Sequence, residues 1–342
     1  MPILRSVAAV LAPFTSDTYM NTADSIFVIT VTILTSIGFL LNLLLLYLII
    51  WKSPRNLTPY RIFLANTTIT QLVYALFAVT SMPRVLAKHQ YTIVIYLGPV
   101  QFFGEWFSYM SYVGILHLSL NSFISLMLSM IYRYFSIRFK RFTANTSIIL
   151  CIIGYFFPFL IFASCSNIAI SSSLSFNTAV LDGMVENLES YHMVLTTEIS
   201  NHPSLIILTL AVTCGLVPIY FVMYWCRHQI HKTLKQTRSV HSPSTRDNAR
   251  RLVRALTIQS IIPLVSVFPA SIFWCLSQLG FVEPTMYSYF IIPCLSLGCI
   301  ADPVVTIRCV LPYRRWILKL CNMSTTDMIT SNQDKSTIFQ KH

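Results

Sequence analysis

Charge is scarce in this chain. Only 11% of its 342 residues are Asp, Glu, Lys or Arg, where a soluble domain carries about a quarter. Catalytic signatures are missing as well: there is no HExxH, no paired-Asp motif, no Gly-rich phosphate loop among the nine glycines, and no convincing Ser/His/Asp arrangement. The sequence therefore offers no enzyme site and calls for no cofactor. The nine cysteines fall in or beside apolar runs rather than as pairs in polar loops, so no disulfide framework or zinc spacing follows. His228 and His231 read as polar residues at a membrane edge rather than as metal ligands.

What is abundant is apolar sequence. Hydrophobic residues make up 55% of the chain, and six uncharged runs occupy 26–51, 62–82, 106–132, 148–169, 205–226 and 255–279. A seventh, 287–307, is interrupted only by Asp302. About 20 apolar residues suffice for a helix to cross a bilayer. The runs are too long, and too poorly alternating, for barrel strands. The apolar segment 91–103, YTIVIYLGPVQFF, is short and broken by Gly98–Pro99. It reads as an outer loop leading into the third helix, which begins somewhere between Pro99 and Trp106.

Seven spans with the N-terminus outside put all but three of the 24 Lys and Arg residues in inner segments, the exceptions being Arg5, Arg84 and Lys88. Excess Lys and Arg marks the cytoplasmic side, so this orientation is expected, with the C-terminus inside. The net charge of +12 then reflects basic residues facing anionic inner-leaflet lipids and implies no nucleic acid. The fold expected is an all-α membrane protein, a seven-transmembrane helix bundle. Residues 1–25 form an outer N-terminal segment, 26–310 the membrane domain, and 311–342 an inner interfacial helix and tail.

Ionisable residues inside a membrane are functional candidates. Glu105 stands at the outer mouth of span three, His117 in its middle, Arg133 at its inner end and Asp302 in span seven. His117 reads first as a helix–helix hydrogen-bonding residue and second as a ligand contact. Asp302 needs a polar partner in a low-dielectric site, with Asn66, Arg61 and Arg133 as candidates. Pro158, Pro218, Pro263, Pro269, Pro293 and Pro303 fall inside spans four to seven, where each removes a backbone hydrogen bond. Tyr132, Arg133 and Tyr134 close span three, and Arg254 lies at the foot of span six. Together they offer a basic surface to an acidic partner. Beyond span seven, Trp316, Ile317, Leu320 and Cys321 share one side of a short helix whose Arg314, Arg315 and Lys319 face head groups or water. Cys321 is a palmitoylation candidate.

These features together resemble G-protein-coupled receptors. The stretches at 58–72 (TPYRIFLANTTITQL), 130–137 (MIYRYFSI), 255–264 (ALTIQSIIPL) and 302–317 (DPVVTIRCVLPYRRWI) look more narrowly like nematode serpentine chemoreceptors, most like class delta. The resemblance implies a small ligand bound from outside and a heterotrimeric G protein engaged inside. It also implies a plasma-membrane location, in sensory-neuron cilia. Tyr132, Arg133, Tyr134, Arg254, Asp302 and Pro303 would then meet or actuate the G protein. A ligand would meet Glu105, Tyr109, Tyr112, His117, Trp274 and Tyr287 in the outer halves of the spans. Many such receptors join the top of span three to the second outer loop by a disulfide. Here Val100 stands near that point and the loop has no Cys. Span seven has no Lys for a retinal Schiff base. A transporter and a seven-helix ligand-gated channel are the rival readings.

Overall fold

The computed structural model describes residues 21–53, 58–88, 91–138, 143–171, 191–198, 203–236, 243–282 and 284–320. Helices dominate because backbone groups in hydrocarbon must be bonded within their own segment. They are α1 (Thr22–Trp51), α2 (Thr58–Ser81), α3 (Glu105–Arg138), α4 (Ala144–Ser171), α5 (Pro203–Thr213), α6 (Leu216–Gln236), α7 (Pro243–Gln278), α8 (Pro284–Cys309) and α9 (Leu311–Leu320). Among the described residues, six spans are long and apolar enough to cross a membrane, with α5 and α6 making one of them, Pro203–Thr233. The remaining span of the bundle is α7, whose described apolar part is the shorter Leu264–Gln278.

The bundle is arranged around α3, the most buried span. It packs on α2, α4 and α6, while α8 packs on α1 and α7. The polar stretch 227–250 is largely helical, since α6 runs on to Gln236 and α7 starts at Pro243. Lys, Arg and Gln are good helix formers, so the helices continue past the apolar runs.

Two of the prolines show how the freed backbone is satisfied. Pro218 has no N–H for the carbonyl of Cys214, and Val217 supplies one instead at 3.1 Å in a tighter turn. This is where α5 hands over to α6. Gly215 fits there because a Cβ would sit 2.1 Å from the carbonyl oxygen of Ala211. In α8, Pro303 frees the carbonyl of Cys299. The side-chain amide of Asn42 in α1 donates to that carbonyl at 2.8 Å. The approach is close because Gly38 faces Cys299, with only 2.9 Å from an added Cβ to the cysteine Cβ.

The largest departure from the expected layout is at 91–103. Instead of a loop, Tyr91–Tyr96 is the central strand (β2) of a three-stranded antiparallel sheet, flanked by β1 (Pro83–Lys88) and β3 (Val194–Glu198). Pro99–Phe103 is a turn of 3-10 helix, and α3 begins at Glu105, inside the expected interval.

The sheet is not a flat lid but a wedge. Val85 opposes Val94 and Val94 opposes Leu195, and these residues pack with α3, α4 and α5. Their neighbours Leu86, Ile93, Ile95 and Val194 face the other way and pack with α1, α2 and α8. A strand's side chains alternate between its two faces, so β2 needs apolar residues on both faces to join the two halves of the core.

Candidate functional site

At the sheet end, a buried ionic cluster ties the wedge to the helices. Asp24, in the first turn of α1, and Arg84, in β1, are both essentially inaccessible, with Nη1 and Oδ1 3.3 Å apart. The phenols of Tyr191 and Tyr289 donate to the Asp24 carboxylate at 2.5 and 3.0 Å. Arg84 Nε donates to Ser288 at 3.1 Å, and its guanidinium lies 4.1 Å from the ring centroid of Tyr289. Burial, reinforced by the hydrogen bond to Asp24, pushes the Tyr191 phenol above its usual range, so it stays a donor. A buried charge pair persists only when its remaining lone pairs and protons are occupied, and three neighbours, Tyr191, Tyr289 and Ser288, serve that role here.

The edge strand is pinned in the same region. The Tyr287 hydroxyl accepts from the Ala87 N–H at 3.0 Å and lies 3.2 Å from its carbonyl. Ser277 donates to the same carbonyl at 2.5 Å. Tyr287, expected as a ligand contact, is thus engaged with the β1 backbone.

Beneath the wedge lies a cavity of about 50 Å³. Val85 of β1, Tyr112 of α3, Thr209 of α5, Ser271 and Trp274 of α7 and Ile292 of α8 are among its walls. Among the described residues no charged side chain lines it, and its polar side-chain groups are hydroxyls and the Trp274 indole N–H. Of the six expected ligand residues, Tyr112 and Trp274 meet here. Tyr109 is buried in the neighbouring core. Glu105 is exposed at the start of α3. His117 bridges α3 to α4 through the carbonyl of Pro158 at 3.1 Å and the hydroxyl of Tyr155 at 3.0 Å, the role read first from the sequence.

A second cavity, of about 40 Å³, continues along the bundle. Val267 and Leu295 belong to the walls of both. Asp302 lies on its wall and is buried. Its partner is none of the three anticipated: the Gln71 amide of α2 donates to Oδ2. Among the described residues Oδ1 has no hydrogen-bond partner. Asn66 is instead engaged with Ser125 at 3.0 Å, and Arg133 is held elsewhere. The nearer reach of α2 decides this, because Gln71 lines the same cavity as Asp302.

Toward the α9 end, the Arg133 guanidinium stacks 3.7 Å from the ring centroid of Tyr60. Among the described residues its Nε and Nη2 have no hydrogen-bond partner. Tyr132 and Tyr134, its neighbours, are buried on different sides, Tyr132 with α2 and α8 residues and Tyr134 with α6. Arg254 falls within α7, but its side chain lies outside the described residues, as does Cys321. The helix expected after span seven is α9. Its Tyr313 donates to Ser53 at 3.2 Å, and Trp316 packs on Tyr47 with ring centroids 5.7 Å apart.

Asp24, Arg84, Asn42, Gln71 and Tyr60 escaped the sequence reading. Asn42 and Gln71 were visible as lone amides in apolar runs, and YTIVIY, β-branched and apolar at nearly every position, fits a strand buried on both faces. Nothing local linked Asp24 to Arg84.

Residues 27–319 match the family described as "Serpentine type 7TM GPCR chemoreceptor Srd". The chain is 37% identical over 320 residues to serpentine receptor class delta-32 of Caenorhabditis elegans, covering 92% of this chain and 94% of that protein. It is 27% identical to class delta-2 of the same organism, over 83% of this chain and 80% of the relative. The crystal structure of squid rhodopsin superposes with a TM-score of 0.62 at 14% identity, covering 93% of this chain and 96% of that one. At that identity the likeness concerns the fold alone.

Proposed function

The chain belongs to the Srd family of serpentine seven-transmembrane chemoreceptors, and from that premise we propose that it is a G-protein-coupled receptor for a small, uncharged, largely apolar ligand. The observation that carries this reading is the pair of cavities sharing Val267 and Leu295. A ligand wedged between Tyr112, Thr209 and Trp274 presses on the wall of the Asp302 cavity, so ligand and Asp302 act on the same side chains. Hydroxyls and an indole N–H without charges suit an alcohol, ketone, ester or lactone better than an ion.

The sheet end faces outside and the α9 end the cytoplasm, in keeping with the distribution of Lys and Arg. Both cavities are small, which suits a closed packing that a ligand must widen. Binding favours the wider packing by the difference in its affinity for the two. In that packing α8 pivots at Asp302–Pro303, and Arg133 leaves Tyr60 for the C-terminal carboxylate end of a Gα subunit. Tyr132, Tyr134 and Arg254 flank that opening. The receptor would act at the plasma membrane of a sensory neuron, with membrane lipids around the bundle.

The test is nucleotide exchange on a co-reconstituted heterotrimeric G protein, screened with a panel of volatile alcohols, ketones and lactones. An active compound should lose its effect with Ala270→Trp, which fills the upper cavity, while surface expression is kept. A response that survives Ala270→Trp places the ligand elsewhere. Activity confined to charged compounds would overturn the ligand class.

A further inference from the structure

Tyr96 and Tyr109 are 1% and 2% exposed, and among the described residues neither phenol has a hydrogen-bond partner. Buried hydroxyls are almost always bonded, and stranding one destabilises a fold more than omitting it. Phenylalanine would fill nearly the same volume at either position and strand no donor. The two hydroxyls therefore do nothing for the empty bundle, and their use lies in something that joins it.

Their surroundings show where. Val94 and Tyr96 are two residues apart in β2 and share one face of the strand. Val94 opposes Val85 of β1, and Val85 is a wall of the cavity beneath the wedge. Tyr109 and Tyr112 are three residues apart, so they share a face of α3 and lie about 4.5 Å apart along its axis. Tyr112 is a wall of the same cavity. All of these residues belong to one packed cluster, in which the Tyr109 and Tyr112 phenols are electrostatic neighbours of the Tyr96 phenol. From the sheet and from α3 alike, a cavity wall leads directly to an unspent donor.

We propose that Tyr96 and Tyr109 form a carbonyl-recognition site at the edge of the ligand cavity. The proposal rests on the ligand cavity described above and narrows its occupant to compounds with a carbonyl: ketones, esters and lactones. A carbonyl oxygen has two lone pairs and can accept from both phenols. It brings no hydrogen in need of an acceptor, as an alcohol does. The oxygen sits between β2 and α3, and the hydrocarbon part lies among Tyr112, Trp274 and Ile292. Binding joins the wedge to α3 through two hydrogen bonds that the empty protein lacks.

The full-length protein in detergent is unfolded thermally with cyclic ketones from cyclopentanone to menthone. Each ketone is paired with the analogue that has a methylene in place of the carbonyl oxygen. The members of a pair have nearly the same shape, so the difference between them reports the oxygen. At about fivefold per hydrogen bond, the best ketone should bind the wild type about 25-fold more tightly than its analogue. Tyr96→Phe and Tyr109→Phe should each remove about fivefold of that preference, and the double variant should bind both members alike. Tyr74→Phe removes another unpartnered buried phenol, in the wall of the Asp302 cavity, and should keep the wild-type preference. Without ketone, Tyr96→Phe and Tyr109→Phe should unfold at or above the wild-type temperature. A lower temperature would mean that the fold uses the hydroxyls and overturns the proposal. So does a wild type that no ketone stabilises beyond its analogue, or a preference that survives the double variant. The measurement needs no G protein: ketone binding without nucleotide exchange would remove the coupling reading alone. Exchange driven by ketones and indifferent to both variants would remove this site alone.

Discussion

The side-chain amide of Asn42 donates to the carbonyl of Cys299 at 2.8 Å, the carbonyl that Pro303 leaves without its helical donor. An Asp–Pro pair inside an apolar span is thus tolerated because a neighbouring helix supplies the missing hydrogen bond. Gly38 lets α1 come near enough to do so.

Replacing Asn42 with Leu should leave the Cys299 carbonyl unpaired, at about 1–3 kcal/mol for a buried polar group. Part of this returns because, among the described residues, Asn42 Oδ1 has no partner, so the net loss should be near the lower figure. In a Pro303→Ala background the new N–H reaches Cys299, and Asn42→Leu should become neutral or stabilising. Thermal unfolding of the four proteins in detergent checks this; an equal cost in both backgrounds would remove Asn42 from the account.

The Asp24–Arg84 pair should behave as a unit. Arg84→Met leaves a carboxylate buried with only tyrosine donors, and Asp24→Asn leaves a guanidinium buried with no acid, each costing about 3–5 kcal/mol. The double variant should cost much less than the sum. Additive losses in thermal stability would mean that the two charges are not energetically coupled.

Arg133→Ala should reduce receptor-driven nucleotide exchange far more than surface expression. Tyr60→Leu removes the stack, worth about 0.5–2 kcal/mol, and should raise ligand-independent exchange by freeing Arg133. If Arg133→Ala lowers exchange and expression in equal measure, the arginine serves folding only. If Tyr60→Leu lowers basal exchange, the stack supports the active packing rather than the closed one.

The four N-x-S/T sequons begin at Asn56, Asn66, Asn145 and Asn322. With the α9 end in the cytoplasm none is presented to the glycosylation machinery, and Asn66 is bonded to Ser125 in the bundle. Endoglycosidase treatment should leave electrophoretic mobility unchanged. A shift would reverse the orientation and remove the proposed G-protein face.

Much of the architecture was legible because it depends on solvent alone. Apolar runs of bilayer length must be helices whatever surrounds them, so the spans, the start of α3 and the helix after span seven follow from composition and period. Tyr112 and Trp274, expected by the same logic as aromatic residues in the outer halves of their spans, line the cavity beneath the sheet. The strand at 91–96 was harder. Its apolar run lacks the alternation that usually marks a strand, because both of its faces are buried.

The sequence by itself determined that this chain is a helical membrane protein of the serpentine receptor kind, and that His117 and Asp302 would sit inside its core. Only the tertiary structure decided the partners: Gln71 rather than Asn66 or an arginine for Asp302, Tyr60 for Arg133, Asp24 for Arg84 across 60 residues, and Asn42 for the carbonyl above Pro303. The reason is physical. The bilayer constrains each segment separately, through the transfer of its own side chains and the closure of its own backbone bonds. A buried polar group is satisfied by whatever donor or acceptor the packing of another segment brings within 3 Å or so, and that depends on contacts hundreds of residues apart.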